Sequence, residues 1–176
     1  MEGGWQSMQN ELLGVLAAPE GRFDEVALRL FAWQYEHTPA YRAYCVARDA
    51  DPERVERWQD IPAVPADAFK SPFPLTTFPV EEAVRTFLTS GTTGEVRGRH
   101  HFRDLSLYRQ AVLEGWRAVG LPENLRRLFL SRNPVHMPDS SLACMFAWLA
   151  ESREEAPWLL EEGGGILVDR LGRACE

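Results

Sequence analysis

The chain has 176 residues, with 26 acidic and 19 basic side chains and a formal net charge of −7. That balance argues against nucleic acid or an anionic membrane surface as a bulk partner, while leaving room for a local nest of backbone N–H groups that holds a phosphate. At 45% hydrophobic and 26% charged residues, the composition is that of an ordinary globular protein, long enough for one domain with a real core.

Met8, Leu12, Leu13 and Leu16 space out as a short amphipathic helix that Pro19-Glu20-Gly21 closes off. From Asp24 the pattern sharpens. Val26, Leu30, Trp33 and His37 share one helical stripe, with Ala27 and Phe31 beside it. Thr38-Pro39 breaks the run, Thr38 as N-cap and Pro39 in the first turn of a helix reaching about Arg48. Between Asp60 and Pro79, five prolines exclude a long helix or an interior strand. The stretch is expected to run extended over the surface, with a helical turn only at Ala66 to Lys70 and with Phe69, Phe73 and Phe78 as buried anchors.

Val84 to Thr89 reads as a strand running into a Gly/Thr turn. Asp104 then caps a helix whose apolar face is Leu105, Tyr108, Val112, Trp116 and Val119. Leu128 to Leu130 reads as a second strand. A helix capped by Ser140 or Asp139 follows, turning Leu142, Met145, Phe146 and Leu149 inward, and Ile166 to Val168 reads as a third strand. Such alternation predicts an α/β fold: N-terminal helices, then strands and helices building a mostly parallel sheet. Residues 1–80 form the helical, proline-rich lead-in and 84–176 the α/β part. The last βα unit begins just as the chain stops, so the whole reads as an incomplete domain, a fragment or a truncated product.

The segment Phe87 to His101, FLTSGTTGEVRGRHH, carries the chemistry. Thr89, Ser90, Thr92 and Thr93 surround Gly91 and Gly94, and Arg97, Gly98 and Arg99 follow. The glycines let backbone N–H groups face an anion, the hydroxyls add rotatable donors, and the arginines add charge-assisted contacts. A plain turn between strand and helix has a similar composition. What favours phosphate is four hydroxyls beside two glycines, placed after a strand, where α/β proteins put their ligands. Neither GxxxxGK[ST] nor GxGxxG is present, so the loop is not of the Walker or dinucleotide kind.

Thr89 to Gly94, TSGTTG, resembles the phosphate-binding signature of the adenylate-forming superfamily, the acyl-CoA ligases and their relatives. That signature continues with Pro, Lys and Gly; here Val96 and Arg97 stand in the first two places and Gly98 keeps the third. The departure points to a branch. TSGTTGEVRGRH followed by Asp104, Leu105, Leu107, Tyr108, Arg109 and Ala111 looks like the LuxE-type acyl-protein synthetases, as do residues 31–44, 58–70 and 138–142. The resemblance implies the use of ATP with Mg2+ to convert a carboxylic acid, of the long-chain fatty acid class, to acyl-AMP. The acyl group then passes to a protein cysteine, on its way to a reductase of the acyl-CoA reductase type. It assigns Thr89, Ser90, Gly91, Thr92, Thr93, Gly94 and Arg97 to the phosphates. His100, with His101 beside it, and His136 are candidate contacts to the acyl group or phosphate, although the pair also reads as polar residues leading into a helix and His136 as a loop histidine.

The adenine region, the ribose-binding acid and the catalytic lysine of the superfamily are not found. Lys70, the one lysine, lies upstream of the loop. A non-catalytic remnant or interaction domain that retains the loop therefore stands as the alternative. Cys45, Cys144 and Cys175 fit neither a disulfide framework nor a metal spacing, which reads as a reduced, cytoplasmic compartment. Nothing marks Cys175 as the acyl-accepting nucleophile. No apolar stretch is long enough to span a bilayer, and no metal site is expected. The aromatic N-terminal part, with Trp33, Tyr35, Tyr41, Tyr44 and Trp58, reads as core.

Overall fold

A computed structural model describes residues 2–18, 21–89, 96–120, 127–151 and 158–174, with backbone alone at 2, 3 and 174. Its helices are α1 (Glu2–Ala17), α2 (Phe23–His37), α3 (Pro39–Val46), α4 (Ser106–Ala118), α5 (Ser141–Ala150) and α6 (Val168–Ala174), and its strands are β1 (Arg85–Leu88) and β2 (Arg99–Phe102). The chain divides into two compact units, Met1–Ala111 and Val112–Glu176, with the boundary inside α4.

In the first unit the α2–α3 corner forms where Pro39 enters the first turn of α3. Thr38 takes the extended backbone of a cap residue, but its side chain makes no capping hydrogen bond. Arg42 supplies the bolt instead: its guanidinium donates to the carbonyls of Tyr35 and Glu36 at the end of α2 and lies over the Tyr35 ring. Phe31, Tyr41 and Cys45 form the buried centre, with Tyr44, Val55, Ile61 and Val64 packed around it. The Tyr41 and Tyr44 hydroxyls donate to the Pro62 and Ala63 carbonyls at 2.9 and 2.7 Å, which pins the proline-rich connection to α3. That connection turns helically at Ala66–Lys70, as its prolines allow. Its aromatic anchors behave unequally: Phe69 and Phe78 are half-buried, whereas Phe73, held between Pro72 and Pro74, is 72% exposed.

The mostly parallel sheet does not form. The structure is 53% helical, and among the described residues its sheet is one antiparallel pair, β1 with β2, in the register Arg85↔Phe102 to Leu88↔Arg99. Three departures explain the correction. First, the Gly/Thr loop does not pass from strand to helix; it turns back into β2, because Phe102 packs edge-on against Phe87 at 5.3 Å and both meet Tyr108 of α4. Second, Leu128 to Leu130 makes a single parallel bridge, Phe129↔Trp158. Phe129 is buried, while Leu130 is exposed. Third, Ile166 makes a single antiparallel bridge to Leu160 across a turn at Gly164, whose φ is +88°, and Val168 opens α6 instead of extending a strand. Three-residue apolar runs are too short to specify a strand by themselves.

The second unit packs Phe129, Leu149 and Trp158 together, flanked by Trp116, Phe146 and Ala147. Arg127 donates to the Leu149 carbonyl at 2.8 Å and lies over the Trp116 ring. Ser140 caps α5, its hydroxyl accepting from Ala143 N at 3.2 Å. Leu142, expected inside, is exposed because it sits in the first turn of α5, away from the Phe129 cluster.

Candidate functional site

The β1–β2 hairpin carries the Gly/Thr loop, and its base is clamped by the residues at its two feet. Thr89 N donates to the Gly98 carbonyl at 2.9 Å, and Gly98 N donates back to the Thr89 hydroxyl at 2.8 Å. Arg97 Nε donates to the Thr89 carbonyl at 2.7 Å. Gly98 is buried. A Cβ placed there would lie 3.0 Å from Thr89 Cγ2, 3.3 Å from its hydroxyl and 3.4 Å from Phe69 Cβ, so a side chain at this foot would have to push Thr89 aside. The Ala66–Lys70 turn braces the same place, with the Phe69 ring 4.3 Å from that of His100.

Ser90, Gly91, Thr92, Thr93 and Gly94 lie outside the described residues. Of the expected phosphate contacts, Thr89 and Arg97 are therefore the two that can be placed, and both take part in closing the loop. His100 faces Phe69. His136 stands in the second unit, in a single helical turn, with Nδ1 3.6 Å from the Glu162 carboxylate. Cys45 is buried and Cys144 half-buried, while Cys175 lies outside the described residues.

His101 is the more telling of the adjacent histidines. Its Nδ1 is 2.8 Å from the Thr86 hydroxyl across the hairpin, and the ring lines a cavity of about 580 Å³ within the first unit. Burial, followed by the charge of Arg99 and the proximity of His100, holds its pKa below the usual imidazole value, so the ring is neutral at neutral pH. The cavity is walled by Trp5 of α1, Trp33 and His37 of α2, residues 77–79, the end of β2 and the first turns of α4. Trp33, read from the sequence as plain core, thus faces an open space.

The charged groups around the cavity are matched. Arg103 meets Glu82 at 2.8 Å. Asp104 accepts from Gln9 of α1 at 3.1 Å and from the Ser106 amide at 2.9 Å. Burial by itself would raise the Asp104 pKa, but these bonds and the Ser106 hydroxyl outweigh it and hold the carboxyl below its ordinary range. His37 Nδ1 lies 2.8 Å from the Trp33 carbonyl, and its ring stacks on the Trp33 indole at 3.9 Å.

Residues 19–134, more than half of the chain, match the family model described as "Acyl-protein synthetase, LuxE". The chain belongs to the LuxE acyl-protein synthetase family. The match covers the whole hairpin with its loop, His100 and His101, and every wall of the cavity except Trp5, whereas His136 falls outside it. No curated protein and no solved structure matches. Among the described residues, no helix is long and apolar enough to cross a membrane.

The sequence offers His101 only together with His100, because RHHF carries little strand signal, and without β2 the side of the hairpin on which each histidine falls is undefined. The usable signal was the alternation across His100, His101 and Phe102, with one large apolar residue at its end.

Proposed function

We propose that this LuxE-family chain works in the ATP-dependent activation of a long-chain fatty acid and in the transfer of its acyl group to a protein cysteine. A carboxylate oxygen bonds to the α-phosphorus of MgATP as the bond to pyrophosphate breaks. The thiolate then bonds to the acyl carbon as AMP leaves. A reductase-type acyl acceptor and a cytoplasmic place of action belong to the same proposal.

The observation that carries the reading is the clamped base of the loop. Fixing the feet of TSGTTG at Thr89 and Gly98 limits the conformations its backbone donors must give up when they gather a triphosphate. Phosphoryl transfer asks for this kind of positioning and charge neutralisation more than for proton shuttling. The placed residues fit a phosphate: Arg97 is exposed and cationic at the mouth of the loop, and Gly98 lets the chain close beneath it without a side chain in the way. Mg2+ belongs to this reading as the counter-ion of the nucleotide.

The test is a calorimetric titration of the intact chain with MgATP, repeated for Thr92→Ala combined with Thr93→Ala. A hydrogen bond to a charged oxygen is worth about 1.5–3 kcal/mol, so the double variant is expected to bind at least about tenfold more weakly with its fold intact. Equal affinity in the double variant, or no MgATP binding by the unmodified chain, would overturn the reading.

A further inference from the structure

We propose that the cavity under the hairpin receives the aliphatic chain of the acid, and that Ala111 sets the length it accepts. The proposal rests on the acid-activating reading above and gives the substrate's tail a place.

At about 580 Å³ the cavity lies within the range of small-molecule sites. Trp5, Trp33, Phe78, Phe102 and Tyr108 give it an apolar, aromatic wall. The charges at its edge are paired inside the protein, Arg103 with Glu82 and Asp104 with Gln9 and Ser106. A sugar or phosphate would have to break those pairs, whereas a hydrocarbon chain leaves them standing. One imidazole serves the polar end of such a ligand. His101 can accept from the Thr86 hydroxyl at Nδ1, which fixes the ring and leaves Nε2–H to donate to a carboxylate oxygen, whereas His37 spends its Nδ1–H on the Trp33 carbonyl and adds only its stacked face to the wall.

His101 also ties the cavity to the loop. It lies three residues beyond Gly98 along β2, roughly 10 Å at the rise of a strand. An acid with its carboxylate at His101 would point its head along the hairpin toward the loop. Its tail would run between α2 and α4. Ala111 is the small residue on the α4 side of the wall, so its size decides how much chain fits there.

The experiment measures binding of saturated fatty acids, from octanoate to hexadecanoate and below micelle-forming concentrations, to the intact chain without nucleotide. Trp5 and Trp33 stand in the wall, so their fluorescence reports occupancy and calorimetry gives the affinity. Each added methylene should tighten binding about fourfold until the cavity is full, after which affinity levels off. Ala111→Phe should move that levelling point to shorter acids and leave octanoate within about twofold of its original affinity. His101→Gln should weaken all lengths by a common factor and keep the increment per methylene. An unchanged levelling point in a folded Ala111→Phe chain, or no increment per methylene, overturns the proposal. Should Ala111→Phe fail to fold, Leu107→Trp, on the same helix and the same wall, is read by the same criterion. Acid binding without MgATP binding would sink the proposed function and keep this inference; MgATP binding without chain-length dependence would do the reverse.

Discussion

Gly98→Ala tests the idea that the loop is held at its feet. The new methyl would meet Thr89 Cγ2 at 3.0 Å and the Thr89 hydroxyl at 3.3 Å, with Phe69 Cβ at 3.4 Å behind it. Two responses are open to Thr89. It can stay and accept the crowding, at about 1–3 kcal/mol for an overpacked site. Alternatively it can rotate away and give up the bond from Gly98 N, which is worth about 0.5–1.5 kcal/mol, with more lost if the buried N–H finds no other partner. These are alternatives and do not add, so the expected loss is about 1–3 kcal/mol. Urea unfolding followed by tryptophan fluorescence measures it as a lower midpoint at constant slope. Thr89→Ser removes Cγ2, the nearest atom, and keeps the hydroxyl, so the double variant should recover at least about 0.5 kcal/mol of the loss. If Gly98→Ala unfolds within about 0.3 kcal/mol of the original chain, or if the two losses simply add, the clamp is not what shapes the loop.

Other expectations follow from the same geometry. Arg97→Lys keeps the charge but not the fork, and Arg97→Ala loses both. Under the proposed function, adenylate formation by a chain that carries the remaining superfamily motifs should fall partly in the first and mostly in the second, with acyl transfer from a preformed acyl-adenylate much less affected; equal slowing of both half-reactions would remove Arg97 from the phosphates. His101 has a folded-state pKa below its unfolded value of 6.5, so the unfolded chain binds the proton more readily. Its contribution to stability is therefore fully present above about pH 6.5 and is lost as the pH falls from there through the lower folded-state pKa. Asp104 is also depressed but titrates below 3.8, outside this window. Urea midpoints at about pH 7.5 and 5.5 should accordingly differ less in His101→Gln than in the unmodified chain, and an identical difference would contradict the assignment. Ser140→Ala removes the cap at Ala143 N and should cost about 1 kcal/mol of stability in the second unit, read from the same unfolding curves.

The helices were legible because their signals are local. Val26 and Phe31 lie on the buried side of α2, Pro39 opens α3, and Ser140 caps α5. The Ala66–Lys70 turn was legible for the complementary reason that the prolines left it no other place. The sheet was not legible, because strand identity depends on a partner. RHHF becomes β2 only when Phe102 finds Phe87 and Tyr108. Leu128 to Leu130 looks equally strand-like and stops at one bridge, since only Phe129 among its large side chains is buried. The family resemblance rested on the loop and on residues 31–44, 58–70 and 138–142, and the family match covers all of these but the last. The cavity had no local signature, because Trp5, Trp33, Phe78 and Tyr108 come from four separate stretches of chain.

The hairpin feet also bear on how the loop can vary between relatives. β1 and β2 pair with each other, and Thr89 and Gly98 close the circuit, so the residues between them hang from a finished joint. Changing the number of residues in such a loop alters its closure entropy by only about 0.6 kcal/mol for each doubling of length. Val96 and Arg97 sit on the loop side of Gly98. A loop mounted in this way is a replaceable part, since a change in its length or sequence need not disturb the socket that receives it.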